Sequence, residues 1–149
     1  MISLKRKTKR LDPIIEQRKS QFDQENALLG SIRGKKAIAI SAMKAKQKEY
    51  MDGVERLNSE RGSANRLMLE ALETGLDSIK QEWMNIYEVI LKIEREEVEQ
   101  LEVLSKAHRD LEAIKNLQGK YKDEFAKEEK RRDAKQIDEI ASRNFSFKK

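Results

Sequence analysis

The chain contains no cysteine, one proline and only six glycines among its 149 residues. Without cysteine, a disulfide framework and a thiolate metal site are excluded. So little proline and glycine argues against both a turn-rich β fold and a disordered chain. No apolar run reaches the roughly 18 residues of a membrane-spanning helix, and the basic start MISLKRKTKR lacks the apolar segment of a signal peptide. We therefore expect no membrane span and no signal peptide.

Charged residues make up 40% of the chain and apolar residues 38%, against about 25% and about 45–50% in an average domain. This balance cannot fill a globular core, but it suits long helices that bury one narrow seam. The net charge is +5, and the first ten residues account for the excess through Lys5, Arg6, Lys7, Lys9 and Arg10. Such a local basic patch suits nucleic acid, an anionic lipid surface or an acidic protein surface.

The first half of the chain predicts one long helix over about residues 11–60. Asp12 is the expected N-cap and Pro13 the expected first-turn residue. An apolar residue recurs every seven positions, in a column broken only by Lys36. Its members are Ile15, Phe22, Leu29, Met43, Tyr50 and Leu57. The companion column that would complete a coiled-coil seam is polar at Lys19, Asn26 and Arg33 and improves at Ile40 and Val54.

The segment ERGSANR (60–66) predicts a turn at about residues 61–63. Gly62 is expected to adopt a positive φ as a helix C-cap, and Ser63 to cap the second helix. That helix is predicted over about residues 64–141. Its apolar residues alternate at spacings of three and four: Leu69, Leu72, Leu76, Ile79, Trp83, Ile86, Ile90 and Ile93, then Leu101, Leu104, Leu111 and Ile114. The eight-residue step from Ile93 to Leu101 predicts a four-residue stutter in the supercoil.

Together the two helices predict an all-α fold: one antiparallel coiled-coil hairpin over residues 1–149, monomeric, with frayed termini. With the turn near residue 62, residues whose numbers sum to about 123 should face each other. Tyr50 would then meet Leu72, Phe22 would meet Leu101, and Ile15 would meet His108. Even with residues 4–12 helical, the N-terminal end of the first helix would lie opposite about residue 119. The charged helix of residues 127–143 is therefore expected to be an unpaired C-terminal overhang.

Few residues could support catalysis or hold a metal. His108 is the only histidine, so neither a catalytic triad nor a histidine metal cluster can be assembled. The segment GSIRGKK (30–36) is one residue short of a phosphate loop between its glycines, and Lys36 stands where Ser or Thr would bind Mg²⁺. Gly30 and Gly34 instead predict local flexibility, close packing or a kink. We expect a protein that is not an enzyme, without catalytic residues, cofactor or metal.

Nucleic-acid binding would require a continuous basic face with interleaved aromatic residues. The middle of the second helix is acidic instead, through Glu94, Glu96, Glu97, Glu99 and Glu102. Trp83 falls on the apolar column, so hairpin core is its expected role, with a protein contact as the alternative.

The C-terminal sequence Gln136-Ile137-Asp138-Glu139-Ile140-Ala141-Ser142-Arg143 resembles the end of the FliJ family of flagellar type III export proteins. It is similar also to their injectisome counterparts, the SctO or YscO group. The chain length, the basic N-terminus, QKEY (47–50) before the break and ANR (64–66) after it extend the resemblance. The glycines at 30 and 34 depart from the family pattern.

The resemblance implies a non-enzymatic stalk or adaptor, similar to the central stalk of rotary ATPases, on the cytoplasmic side of the inner membrane. Its terminal end would bind and stimulate a hexameric type III export ATPase through Lys5, Arg6, Lys7, Arg10, Ile137, Asp138, Ile140 and Arg143. Its tip would contact the cytoplasmic domain of the export gate through Tyr50, Leu72, Leu76, Ile79 and Trp83. Export chaperones are a further implied class of partner, with no residues assigned.

Two alternatives remain open from the residues. One is a structural coiled-coil protein that associates with itself and so completes the weak companion column of the first helix. The other is a nucleic-acid or anionic-membrane binder that acts through residues 5–10, whose binding would fall steeply with salt.

Overall fold

The computed structural model describes residues 3–63 and 65–147, and all of its regular structure is helical. Helix α1 spans Leu4–Glu60 and helix α2 spans Arg66–Phe147. The two helices pack against each other in antiparallel directions, which confirms the all-α hairpin with a longer second helix. The described helices form two compact units, one of residues up to Gln24 and from Leu104 onward, and the other of Glu25–Val103.

Both helices begin at positions other than the expected ones. Ser3 is the N-cap of α1, because its Oγ accepts a hydrogen bond from the Arg6 N–H at 3.3 Å. The assignment of Asp12 as N-cap is therefore wrong, and Pro13 lies inside the helix. The terminal residues 1, 2, 148 and 149, for which fraying was predicted, lie outside the described residues.

The turn between the helices also differs from the expected one. The N-cap of α2 is Asn65 rather than Ser63, since the Asn65 Oδ1 accepts a hydrogen bond from the Met68 N–H at 2.8 Å. The Ser63 N–H instead donates to the Glu60 carbonyl at 3.1 Å. Gly62 does not adopt a positive φ. The predicted start of α2 at residue 64 falls on a position outside the described residues.

The later start of α2 shifts the register between the helices. The Tyr50 ring lies 6.2 Å from the Trp83 ring, centroid to centroid, rather than beside Leu72. Likewise the Phe22 ring lies 5.7 Å from the His108 ring rather than beside Leu101. The predicted pairing is therefore wrong: each α1 residue meets a residue further along α2, because the turn occupies more of the chain than was assumed.

The seam of α1 consists of two columns at alternating spacings of three and four residues. The column of Ile15, Phe22, Leu29, Met43, Tyr50 and Leu57 is buried or half-buried, as predicted. Its companion stands one residue earlier than expected and comprises Leu4, Leu11, Arg18, Glu25, Ile32, Ala39, Lys46, Gly53 and Glu60. The prediction that the column of Lys19 forms the seam is therefore wrong. The observed companion column contains polar residues, and these are accommodated because some of them pair with residues of α2 across the seam.

The seam of α2 runs without interruption from Leu69 to Phe125 at the same alternating spacing. Glu97 is half-buried and Gln100 is 7% exposed, whereas Leu101 is 40% exposed. The heptad repeat therefore continues through two polar residues, and the predicted stutter is wrong. Hydropathy alone cannot identify a seam position that a polar residue occupies.

Three polar layers cross the seam within the described residues. Glu97 lies 3.5 Å from the Lys36 Nζ and 3.6 Å from the Arg33 Nε. The Gln100 Nε2 donates to the Glu25 carbonyl at 2.9 Å and to the Glu25 carboxylate at 2.6 Å. In the third layer, the Gln118 Nε2 donates to the Thr8 carbonyl at 3.0 Å and to the Asp12 carboxylate at 2.5 Å.

Lys46 occupies a seam position of α1 and forms ion pairs on both helices. Its Nζ lies 2.6 Å from the Glu82 carboxylate on α2 and 3.3 Å from that of Glu49. Hydrogen bonds to Glu82 and then to Glu49 raise the pKa of Lys46 above its ordinary value. The stabilisation that these ion pairs give to the folded hairpin is therefore fully present below the ordinary lysine pKa. It is lost as the pH rises through the raised pKa of Lys46.

Beyond the seam, α2 continues as an exposed helix. Phe125 is half-buried, and the residues that follow it are all exposed up to residue 145, where the described burial ends. The exposed stretch begins later than residue 119 because the register between the helices is shifted.

We expect alanine to replace Gly34 more favourably than Gly53. A Cβ at Gly34 meets nothing within 4 Å, whereas a Cβ at Gly53 would lie 2.5 Å from the Leu76 Cδ2. Gly34→Ala should raise the free energy of unfolding by about 1 kcal/mol through helix propensity. Gly53→Ala should gain less, because Leu76 must move. Urea unfolding of both variants measures the difference, and equal gains would contradict the close approach at Gly53.

We expect Gln100→Leu to raise the free energy of unfolding by about 1 kcal/mol, because a polar seam residue fixes register at a cost in stability. The Glu25 carboxylate can turn to water in this variant. The matched control is Gln81→Leu, at an exposed position of the same helix, which should change stability little. Urea unfolding is again the measurement. A loss of stability in Gln100→Leu would mean that the amide layer contributes more than an apolar layer does.

Candidate functional site

The terminal surface comprises the basic start of α1, residues 4–10, and residues 121–132 of α2, which lie beside it. Lys5 and Lys7 line a groove together with Phe125, Glu128 and Arg132. The Lys7 ammonium lies 5.6 Å from the centroid of the Tyr121 ring, within the range of a cation–π interaction. The packing of α1 against α2 thus places basic residues that are far apart in sequence along one groove.

Several basic side chains near the terminal surface form no ion pair among the described residues. Arg6 and Arg10 are exposed on α1, and none of the ion pairs among the described residues involves them. The same holds for a group of exposed basic residues on α2: Lys127, Lys130, Arg131 and Arg132. These side chains are therefore available to an acidic partner.

The exposed helix carries the other predicted ATPase-binding residues. Ile137 is 65% exposed and Ile140 is 57% exposed, and Asp138 and Arg143 are exposed as well. The groove that contains Lys5 and Lys7 is not lined by any of these four residues. The structure thus divides the predicted set into a basic group beside the seam and an apolar pair beyond it.

All five predicted gate-binding residues lie in the seam between the helices. Leu76 is buried, and Tyr50, Leu72, Ile79 and Trp83 are half-buried. The rings of Tyr50 and Trp83 are tilted by 56° to each other, an arrangement that aromatic pairs favour. Trp83 therefore belongs to the hairpin core, as expected, and a gate contact by these residues stays a prediction.

A shallow groove, called the tip groove below, nevertheless gives access to part of this set from the surface. Its lining includes Leu72, Leu76 and Ile79, and two glycines, Gly53 and Gly75, widen it. Its rim carries three charged residues: Glu49, Asp52 and Arg56. Glu49 pairs with Lys46 and Arg56 with Glu60, whereas Asp52 has no ion pair among the described residues.

Sequence reasoning missed this groove, although a signal for it exists. Gly53 stands in the companion column of α1 and Gly75 lies one residue before the seam residue Leu76. Small residues at such positions allow the helices to approach closely and leave a depression beside the contact. Because the companion column was assigned one residue late, Gly53 was not recognised as a seam residue.

Neither a metal site nor a membrane span is found in the part of the chain that the structure describes. No group of three or more His, Cys, Asp or Glu side chains there could hold a metal ion. None of the described helices is long and apolar enough to cross a membrane.

Comparison with models of protein families gives a match over nearly the whole chain. The model of a family described as "Flagellar FliJ protein" matches residues 7–149, which include nearly all of α1 and the whole of α2. No curated protein and no solved structure gives a significant match.

Proposed function

The chain belongs to the FliJ family of flagellar export proteins, and on that premise we propose that it is a non-enzymatic stalk of a type III export apparatus. In this proposal the terminal surface and the exposed helix bind and stimulate the hexameric export ATPase. The tip groove contacts the cytoplasmic domain of the export gate, so that the protein acts at the cytoplasmic face of the inner membrane.

The observation that carries the proposal is the exposed helix of residues 126–145. An isolated helix of this length is marginal in water, because its stability normally comes from packing an apolar face. Ile137 and Ile140 are more than half exposed, and burying each would contribute about 1.5–3 kcal/mol. A partner that receives this helix would therefore stabilise it substantially.

The charge of the terminal surface supports a partner with an acidic lining. Lys5, Lys7 and Arg132 line one groove, and the nearby exposed arginines Arg6 and Arg10 have no ion pair among the described residues. Opposite charges on facing surfaces accelerate association and favour one orientation. The pore of a hexameric ATPase with acidic loops would meet these basic residues as the exposed helix enters it.

The tip groove supports a second contact of different chemistry. Its floor is apolar, with Leu72, Leu76 and Ile79, and Asp52 stands at its rim. Such a groove suits an apolar side chain followed by a basic one. The seam residues Tyr50 and Trp83 would then support the groove from within rather than touch the gate themselves.

We expect the full-length protein to stimulate ATP hydrolysis and hexamer formation by the purified export ATPase of its own organism. Truncation after Phe125 should abolish both effects, because it removes the exposed helix that is proposed to bind the ATPase. The seam between the helices should stay intact in this variant. Ile137→Asn/Ile140→Asn should reduce stimulation at least about tenfold if two isoleucines are buried in the complex. The matched control is Leu67→Asn, since Leu67 is 78% exposed near the start of α2.

No stimulation by the full-length chain would contradict the stalk function. Full stimulation by the truncated chain would move the ATPase contact away from the exposed helix. Circular dichroism should first establish that the isoleucine variant keeps the helicity of the wild type, so that a loss of stimulation reports on the contact and not on unfolding.

We expect Gly75→Leu to weaken binding of the gate's cytoplasmic domain by about tenfold or more, because the new side chain fills the tip groove. A Cβ at Gly75 meets nothing within 4 Å, so the hairpin should stay folded. Gly34→Leu is the matched control, since Gly34 is equally open and lies outside the groove. Calorimetric titration measures both affinities, and unchanged binding by Gly75→Leu would exclude the groove as the gate contact.

A further inference from the structure

A second apolar column runs along α2 beside the seam. It consists of Met84, Tyr87, Leu91, Val98 and Leu101, and each member directly follows a seam residue. Four of the five side chains are 40–57% exposed: Met84 49%, Tyr87 46%, Val98 57% and Leu101 40%. Their spacing of three, four, seven and three residues is that of a coiled-coil seam with one position missing. Since α1 packs on the neighbouring face of α2, most of the surface of this column faces water among the residues that the structure describes.

The missing position of the second column is Glu94. Its carboxylate lies 4.0 Å from the Lys36 Nζ on α1, the same ammonium group that pairs with Glu97. The charge of Glu94 is thus balanced within the hairpin. On both sides of it, Leu91 and Val98 line a shallow groove whose other lining residues are Glu94, Arg95 and Glu99. A facing helix could therefore pack along the column with its one carboxylate already satisfied.

The order of residues in the column reads nearly the same from either end. In an antiparallel arrangement about a two-fold axis between residues 92 and 93, Met84 of one copy faces Leu101 of the other. Tyr87 likewise faces Val98, and at the centre Leu91 faces Glu94, whose carboxylate lies 4.0 Å from the Lys36 Nζ of its own copy. An isologous dimer requires such self-complementarity, because the same surface serves both copies.

Charges at the edge of the column obey the same symmetry. Glu88 directly follows Tyr87, and Arg95 directly follows Glu94, so both stand on the edge away from α1. Neither forms an ion pair among the described residues. The two-fold arrangement that pairs the apolar residues also places Arg95 of one copy beside Glu88 of the other, twice per dimer. Residues flanking a seam commonly select the partner and its direction in this way.

We propose that the face of Met84, Tyr87, Leu91, Val98 and Leu101 is a self-association surface on which a second copy of this chain packs antiparallel, with Glu88–Arg95 ion pairs between copies. Five side chains per copy form a smaller surface than the interfaces of about 1,200–2,000 Å² that hold stable complexes. The dimer should therefore be a reversible one that forms at micromolar concentrations. The proposal does not rest on the stalk function, since it uses neither the terminal surface nor the tip groove.

Sedimentation velocity of the full chain over about 1–100 μM tests the proposal. The wild type should shift from monomer to dimer within this range. Val98→Gln/Leu101→Gln should raise the dissociation constant at least about tenfold, because two apolar pairs are lost on each side of the axis. The matched control is Val89→Gln/Val103→Gln, with two valines that are 48% and 45% exposed and lie off the column. Its dissociation constant should stay within about twofold of the wild type.

Charge reversal tests the antiparallel direction. Arg95→Glu should weaken the dimer, because it places two carboxylates together at each end of the contact. Glu88→Arg/Arg95→Glu should restore dimerisation, since the ion pair re-forms with its signs exchanged. Circular dichroism checks that every variant keeps the helicity of the wild type.

Three results would overturn the proposal. They are a wild type that stays monomeric up to the highest concentration, an equal effect of the control pair, and a failure of the double reversal to restore what Arg95→Glu loses. A monomeric wild type would indicate that this face binds a helix of another protein instead. A failed rescue by the double reversal would exclude the two-fold arrangement.

Discussion

The fixed register between α1 and α2 is the constraint on which the other features depend. Buried amides are costly unless their hydrogen bonds are made, and Gln100 and Gln118 make theirs with Glu25 and with Thr8 and Asp12. A shift of one heptad would separate each amide from its acceptors. The apolar columns alone repeat every seven residues and would tolerate such a shift, so the polar layers decide which register is formed.

That register determines what each surface of the hairpin offers to other molecules. It brings Lys5 and Lys7 beside Phe125 and leaves residues 126–145 exposed. In the other unit it sets Gly53 against Leu76, and the tip groove lies beside that contact. A narrow seam also leaves most of each described helix in water, so that the surfaces open to other molecules lie along the outside of the helices.

A polar residue also divides the exposed apolar column of α2. Glu94 interrupts this column, and its carboxylate lies 4.0 Å from the Lys36 Nζ, which pairs with Glu97 as well. Lys36 is also the one break in the apolar column of α1. The residue that interrupts the seam column of α1 thus pairs with the carboxylate that interrupts the exposed column of α2. Replacing such a group by an apolar one would lengthen the exposed patch, with the association hazard that large patches carry.

The sequence by itself determined the fold class, the two helices, the apolar column of α1 and the longer second helix. These follow from periodicity, which is a property of neighbouring residues and needs no partner. The terminal basic residues follow from the charge count of the first ten residues, and the overhang that carries Ile137 and Ile140 follows from the unequal lengths of the two predicted helices. The family resemblance rested on QIDEIASR (136–143), and the family match over residues 7–149 confirmed it.

Only the tertiary structure decided the caps, the register and the second column of α1. Ser3 and Asn65 compete with other capping residues nearby, and hydrogen-bond geometry selects among them. The register depends on where the turn ends, so a later start of α2 changed every cross-helix pair. Glu25, Lys46 and Gln100 could not be read as seam residues, because a polar residue is buried only where another chain segment supplies its partner.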